Sequence, residues 1–207
     1  VSYANDPDMK AVSPNNIKFV GSLDVTSPES AGIVWNVGET NKVISWDANG
    51  TITNVDIYYR TSAGGSDNTI VLNNGAHVNG GNSYTWTSAV PDEKTETAYI
   101  KVADTAHPTD IYSVSTVPFS IRPVITVTVP GLDQNIEVGT PNNTVTWNIN
   151  STKVTKTDLY YSTNGQAGPF DQLISMGVLT TQGSNSYATW GPVADTISGD
   201  VVIKVRD

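Results

Sequence analysis

The sequence predicts an all-β protein built of tandem immunoglobulin-like or fibronectin-III-like β-sandwich modules. Its apolar residues fall in short runs rich in Val, Ile, Thr, Tyr and Trp, and these runs alternate with period two, as half-buried strands do. Clusters of Gly, Asn, Pro and Asp separate the runs, as expected of turns. Seven or eight such strands in about a hundred residues are typical of these sandwiches.

A second observation is an internal repeat with a spacing of about a hundred residues. Four strand-like segments of the first copy recur in the same order in the second copy. The matching segments are 41–46 with 143–147, 56–61 with 158–163, 82–86 with 185–190, and 99–102 with 202–205. The chain therefore contains two copies of one module.

The alternation predicts eight strands in the first copy. They lie at residues 23–26, 34–37, 42–46, 55–60, 69–72, 83–86, 98–102 and 117–121. Parity along these strands turns Ile44, Trp46 and Ile57 toward the core and Asp56 and Tyr58 outward.

One pair of aromatic residues breaks the correspondence between the copies. Tyr84 and Trp86 are two residues apart, whereas Tyr187 and Trp190 are three apart. A β-bulge adds one residue to a strand while the flanking side chains keep facing the same side of the sheet, so we expect a bulge in the second copy.

The repeat is out of phase with both ends of the chain, because residues 6–25 match residues 107–127. We therefore assign residues 1–21 to a closing strand of a preceding module or to a donor strand, residues 22–122 to module 1, and residues 123–207 to module 2 without its last strand. The Arg122-Pro123 linker is short and stiffened by proline, which predicts a restricted angle between the modules.

Two interpretations of these ends stay open. The chain is either an excerpt of a longer repeat array or a subunit whose front segment completes its neighbour. In the second case Ile17, Phe19 and Val20 are the assembly residues, and Ile17 and Phe19 fill the neighbour's core as Phe119 and Ile121 fill module 1.

Several spaced residues of module 1 resemble the opening of the Kre9/KNH-like immunoglobulin-like domain of Ser/Thr-rich surface proteins. They are Val25-Thr26-Ser27-Pro28, Gly32, Trp35, Gly38 and Ile44-Ser45-Trp46, followed by residues 55–59, 84–86, 100–102 and 119–121. In module 2, Ile136 replaces the first Trp. The resemblance implies association with a cell surface or cell wall and no particular reaction.

Composition narrows the partners. The 20 acidic and 11 basic residues give a net charge of -9, which argues against nucleic acid because a polyanion requires a basic surface. There is no cysteine, and no apolar run approaches the roughly 20 residues of a membrane helix. Together with the abundance of Thr, Ser, Asn and Gly, this favours an extracellular or cell-surface protein without a membrane span.

No motif supplies a catalytic mechanism, so we expect no enzyme activity and no cofactor. His77 and His107, the two histidines, lie in predicted loops without a nucleophile motif nearby. Calcium is the one cofactor to consider, and its weak candidate ligands in the loops are Asp6, Asp8, Asp104 and Asp110. Solvated turn carboxylates are the stronger interpretation of these four residues.

Aromatic residues and sequons supply the remaining candidates. Trp46, Trp86, Trp147 and Trp190 recur in both copies and are assigned to the cores. Trp35, Tyr58 and Tyr160 are possible surface contacts for another chain or a glycan. Asn49, Asn142 and Asn150 begin Asn-X-Ser/Thr sequons, which permit glycosylation.

These observations predict a structural repeat unit of an extracellular filament, fibre or surface layer, assembled from tandem or strand-complemented modules. Its partner is then a further copy of itself or the continuation of a longer chain. The alternative is an adhesin stalk or carbohydrate-binding module that contacts cell-wall glycan.

Overall fold

The computed structural model describes residues 2–3, 6–10, 12–75, 77–132, 134–195 and 197–207, with side chains from residue 12 onward. Every regular element within these ranges is a β-strand, which confirms the all-β prediction. The described part of the chain holds no helix with the length and apolar character needed to cross a membrane.

The strands run in the order predicted from the alternation. Their bounds are β1 Ser2–Tyr3, β2 Asp6–Lys10, β3 Ser22–Ser27, β4 Val34–Asn36, β5 Lys42–Asn49, β6 Asn54–Arg60, β7 Asn68–Gly75, β8 Gly80–Trp86, β9 Thr95–Asp104, β10 Tyr112–Val114, β11 Phe119–Arg122, β12 Ile125–Val129, β13 Asn143–Ile149, β14 Lys156–Ser162, β15 Gln172–Leu179, β16 Gly183–Trp190 and β17 Val202–Arg206. The eight strands predicted for the first copy are β3–β9 and β11. Strand β10 is an addition that the alternation did not reveal.

Residues 22–122, here called the front half, contain two sheets around one core. One sheet has the order β3-β5-β8, and the other has the order β4-β11-β9-β6-β7 with β10 also paired to β9. Strands β4 and β11 are parallel. Ile44, Trp46 and Ile57 come from both sheets and are fully buried, as parity predicted.

Residues 123–207, here called the back half, repeat this arrangement with fewer strands. Their sheets have the orders β12-β13-β16 and β15-β14-β17. A separate core contains Val145, Trp147 and Leu159, all fully buried. The matching registers of β3-β5 and β12-β13 make Asn49 the counterpart of Asn150 and Ala48 the counterpart of Ile149.

The predicted β-bulge of the second copy is confirmed. In the front half Lys42 pairs with Trp86 and Ile44 with Tyr84 without interruption. In the back half Asn143 pairs with Trp190 and Val145 with Tyr187, and the register shifts between them. The extra residue keeps Trp190 buried in its core, because the bulge restores the facing that the insertion would otherwise reverse.

The expectation that Asp56 points into solvent is wrong. Its side chain is only 9% exposed, because it accepts hydrogen bonds from the Asn73 backbone N–H at 2.8 Å and from the Thr105 hydroxyl at 2.9 Å. Asn73 has a left-handed backbone, with φ of 56°, beside a register shift of β6 against β7. The carboxylate of Asp56 therefore fixes an irregular stretch of the sheet.

The back half repeats this arrangement around Asp158. The Asp158 carboxylate accepts a 2.9 Å hydrogen bond from the backbone N–H of Gly177, whose φ is 64°, again beside a register shift. The same carboxylate thus supports the same irregularity in both halves.

We predict that Asp56→Ala lowers the free energy of unfolding of the front half by about 1–3 kcal/mol, since it leaves the Asn73 N–H and the Thr105 hydroxyl without their acceptor. Asp56→Asn is the matched control, because its amide oxygen can still accept the Asn73 hydrogen bond, and it should lose less. Urea unfolding of the two variants measures the difference. Equal losses would contradict the assigned role of the carboxylate oxygen.

Candidate functional site

In the front half, β11 fills the space between β4 and β9. Phe119 and Ile121 point from it into the core and are almost completely buried. The ring centroid of Phe119 lies 4.4 Å from that of Trp35. Backbone hydrogen bonds of 2.9 Å run from Ser120 to Ile33 and from Val37 to Arg122, so β11 is both paired and packed.

The residues just before β11 are held on the same edge of β9. Strand β10 pairs with β9, and beyond it the buried Ser115 forms two hydrogen bonds with Ile100. The Ser115 N–H donates to the Ile100 carbonyl at 2.8 Å, and the Ser115 hydroxyl accepts from the Ile100 N–H at 3.0 Å. Residues 112–122 therefore close the front half as one unit.

The corresponding place in the back half is open. Strand β17 pairs with β14 on one side, and no strand of the described part of the chain pairs with its other edge. A cavity of about 910 Å³ lies there, bordered by Ile136, Tyr161 and Trp190 among others. We call this cavity the open groove.

The walls of the open groove copy those around β11. The rings of Tyr161 and Trp190 are 5.5 Å apart, and their counterparts Tyr59 and Trp86 are 5.8 Å apart. Ile136 stands where the front half has Trp35. The wall of the groove therefore contains the counterparts of residues that pack around β11 in the front half, together with polar residues such as Thr163 and Ser198.

Residues 12–20, here called the front segment, belong to no strand. Ile17 is 75% exposed, Phe19 93% and Val20 61%. Lys18 forms an ion pair of 2.6 Å with Asp110, and this ammonium group holds the pKa of the Asp110 carboxyl below its usual value. The structure thus leaves the three predicted assembly residues bare and places a β11-like sequence at the surface.

The two halves meet through a set of hydrogen bonds around Asp92 and Asn150. The Asp92 carboxylate accepts from the Ser151 hydroxyl, from the Thr152 N–H at 2.9 Å and from the Thr152 hydroxyl at 2.6 Å. The Asn150 amide donates to the Val37 carbonyl at 2.7 Å and accepts from the Val124 N–H at 2.7 Å. These contacts hold the junction beyond what the linker itself provides.

Burial of the Asp92 carboxylate acts to raise its pKa, but the hydrogen bonds from Ser151 and Thr152 outweigh this effect and lower the pKa below the usual value. Ion pairs add to the junction. Lys153 lies 3.8 Å from Glu93, and Lys94 pairs with Asp207.

Trp35 is not the surface residue that the sequence suggested. It is only 6% exposed and packs against Phe119 and Trp86. It has no aromatic counterpart in the back half, where Ile136 stands in its place. Its burial removes the aromatic residue on which the glycan-binding alternative chiefly depended.

Tyr58 and Tyr160 lie on outer faces, where they are half-buried under cations. The Lys101 ammonium lies 5.5 Å from the ring of Tyr58, and the Arg206 guanidinium lies 4.7 Å from the ring of Tyr160. Both rings are therefore partly covered by side chains of their own sheet.

The candidate calcium ligands are engaged elsewhere. Asp104 is buried and accepts from His107 at 2.8 Å, and Asp110 is paired with Lys18. The side chains of Asp6 and Asp8 lie outside the described residues. Within the ranges described above, no three acidic or histidine residues come together as a metal site would require.

The sequons differ in their surroundings. Asn49 and Asn142 are exposed. The side-chain nitrogen of Asn150, to which a glycan would be attached, instead donates to Val37 at the junction. His77, the remaining histidine, packs against Trp46 with tilted rings whose centroids are 5.2 Å apart, and it contacts the Asn74 carbonyl.

The sequence did not reveal Asp92 as a junction residue. A signal was present, because Val90-Pro91-Asp92 corresponds to Val193-Ala194-Asp195 at the same place in the second copy. A solvated turn residue is the usual meaning of such an aspartate. Only the spatial approach of Ser151 and Thr152 distinguishes it.

No family model matches the chain, and no curated protein matches it. One solved structure that it resembles is the C-terminal globular domain of an oligosaccharyltransferase from Pyrococcus abyssi, with 12% identity and a TM-score of 0.24 over 90% of this chain. The chain spans 45% of that structure's length, and a likeness this weak carries no argument about fold or function.

We predict that the junction stays ordered at neutral pH and loosens only in acid. Because folding lowers the pKa of Asp92, its stabilisation is present above the unfolded pKa of about 3.9 and disappears as the pH falls through the lower folded value. Spin labels at Val78→Cys and Leu179→Cys, both exposed sites, would give one narrow distance distribution at pH 7 and a broader one below about pH 4.

Adding Asp92→Ala to the labelled chain should broaden the distribution already at pH 7, since it removes hydrogen bonds to a charged group worth about 1.5–3 kcal/mol each. Asp171→Ala, at an exposed position of the back half, is the control for the change in charge. A distribution that stays narrow with Asp92→Ala would show that the linker and Asn150 suffice.

Proposed function

We propose that this protein is a structural repeat unit of an extracellular filament, fibre or surface layer, built of tandem immunoglobulin-like β-sandwich modules that strand complementation joins. One observation carries the proposal. The open groove of the back half occupies the place that β11 fills in the front half, and the exposed front segment of the same chain has the sequence pattern of β10 and β11.

The repeat sets the register in which the front segment would enter the groove. Phe119 lies opposite Ala98, and Ile121 opposite Thr95. Thr95 and Ser198 are counterparts, because each hydroxyl donates to the carbonyl of a matching threonine, Thr61 or Thr163. The same register therefore places Ile17 opposite Val201 and Phe19 opposite Ser198.

The sizes of the side chains complement each other in this register. Ile121 is the neighbour of Trp35 across the parallel β4–β11 pair. At the corresponding places in the groove stand Phe19 and Ile136. The larger Phe19 beside Ile136 offsets part of the volume that is lost where Ile136 replaces Trp35, as a close-packed core requires.

Serine supplies a further match. Ser13 corresponds to Ser115, whose hydroxyl and backbone N–H both bond to Ile100. In the groove the counterpart of Ile100 is Ile203. Ser13 would therefore bond to Ile203 and fix the register before Ile17 is reached, since main-chain pairing and alternate side chains together define strand addition.

If the front segment fills the groove, it must come from a second copy of this chain. Residue 21 is fixed against the front half, because Ser22 pairs with Asn49 at one end of β5, whereas the back half attaches at the other end, near Val37. The exit of the groove, where Val20 would emerge, lies at the far end of the back half, one full length of the back half beyond the junction. Each half is about 25 Å long, since β5 has 8 residues at about 3.4 Å per residue. Val20 cannot reach that exit in its own chain while residue 21 keeps its place.

We predict that Ile17→Asp/Phe19→Asp abolishes polymerisation of the 207-residue chain and leaves the front half folded. Burial of an Ile and a Phe side chain contributes roughly 3–6 kcal/mol, and two carboxylates in an apolar groove would reverse this gain. Light scattering measures polymerisation, and circular dichroism measures folding. The control is Val43→Asp/Val78→Asp, at exposed apolar residues outside the groove and the front segment, which should polymerise normally.

The same assembly-deficient variant offers an empty groove for a direct test. A fluorescent peptide with the sequence of residues 12–21 should bind it, whereas the peptide with aspartate at the positions of Ile17 and Phe19 should not. The proposal would be refuted if the double variant still formed polymers or if its groove did not bind the wild-type peptide. A wild-type chain that stays monomeric and yet binds the peptide would instead identify a covalently following strand as the natural occupant.

A further inference from the structure

The junction between the two halves of one chain has counterparts at the two surfaces that strand exchange would bring together. On the groove side, Gly38 donates to the Val90 carbonyl and Gly139 to the Val193 carbonyl. Val90 and Val193 are therefore equivalent, and two residues on, Asp195 corresponds to Asp92. Asp195 is exposed at the rim of the groove.

On the front side, the loop after β5 corresponds to the loop after β13. The strand registers equate Asn49 with Asn150, so Thr51 corresponds to Thr152. Thr152 is the residue that donates twice to Asp92 within the chain. Both Asn49 and Thr51 are exposed.

A front segment that enters the groove brings this loop with it. Residue 21 lies so close to the loop that a Cβ on it would meet the Asn49 carbonyl oxygen at 2.7 Å. The loop is therefore fixed to the end of the front segment. Once Val20 reaches the exit of the groove, Thr51 must face the rim that carries Asp195.

The polarity of two further positions changes between the two junctions. Within the chain, Lys94 and Arg122 line the cavity of about 410 Å³ between the halves, and both are charged. Their counterparts are Ile197, adjacent to Ser198, and Val20. In the single chain Ile197 is 96% exposed and Val20 61%. The junction within the chain thus has charged residues at these two positions. The surfaces that exchange would bring together have exposed apolar residues there.

We infer that copies of this chain also contact each other at the rim of the groove, where Val20 of one copy packs on Ile197 of the next, a residue that lines the groove, while Thr51 donates to Asp195. This inference rests on the proposed strand exchange and names the partner surface that accompanies it. The contact reproduces the Asp92–Thr152 arrangement and replaces the charged pair of positions by an apolar one. Successive halves along the filament then meet in one repeated geometry.

The chain has no cysteine, which permits an unambiguous cross-linking test. Ile121 lies opposite Thr95, so Arg122 and Lys94 are the next pair along antiparallel strands, at a spacing that suits a disulfide. Val20→Cys/Ile197→Cys should give a ladder of covalent multimers on mild oxidation of the polymer. The matched control Lys94→Cys/Arg122→Cys should close within one chain and give no ladder.

A ladder that reduction abolishes supports the contact. Polymers without cross-links, in the presence of a control that closes internally, would overturn the second contact and leave strand exchange standing. A chain that forms no polymer at all would overturn both. Mass spectrometry of the cross-linked peptides must find Val20→Cys joined to Ile197→Cys, because any other pairing contradicts the geometry.

Asp195→Asn tests the polar part separately. Loss of the charge from the acceptor should raise the critical concentration for polymerisation about tenfold or more, as expected for a hydrogen bond to a charged group. Asp24→Asn makes the same change of charge at an exposed position of β3 and should leave the critical concentration unchanged. An unchanged value for Asp195→Asn would overturn the proposed hydrogen bond with Thr51.

Discussion

Whether one strand edge is paired decides whether the core of each half is covered or open on that side. In the front half, β9 pairs with β6 on one side and with β10 and β11 on the other, and Trp35 is buried because β11 covers it. In the back half, β17 pairs only with β14 among the described strands, and the segment around Ile136 forms no strand. An unpaired inner edge leaves both main-chain groups and apolar walls uncovered, which is the condition that favours addition of a further strand.

The alternation of apolar residues predicted eight strands of the front half and most of the buried positions that it assigned. Ile44 and Trp46 are buried as parity requires, and the spacing of Tyr187 and Trp190 located the bulge. Such predictions succeed because the alternation of apolar and polar residues within a strand indicates which of its side chains face the core. Parity wrongly turned Asp56 outward, and Trp35 was considered a surface contact because the second copy has no aromatic equivalent. The burial of these two residues depends on Thr105 and on β11, which lie far away in sequence.

The candidate site was only partly accessible to the sequence. The repeat predicted that Ile17, Phe19 and Val20 belong to a closing strand, and the structure leaves them exposed. It could not predict that Asp92 reaches Ser151 and Thr152, because a contact between two loops leaves no periodic trace. A contact for Asp195 can be inferred only from its equivalence with Asp92, once the contacts of Asp92 are known. Once the structure shows the contact at the junction within the chain, the sequence repeat identifies the equivalent residues on the other surfaces.

The two junctions differ in what must hold them. Within the chain, the peptide bond keeps the halves together, so the junction contacts need only fix an angle, and exposed ion pairs such as Lys153 with Glu93 serve although each is worth little. In the proposed assembly no covalent bond joins the copies, so the contact between them must also supply affinity. Apolar burial supplies it more effectively than surface charge, since it scales with the area removed from water and is not screened by salt. The apolar Ile197 and Val20 at the places of Lys94 and Arg122 are what this proposed difference in mechanical demand would favour.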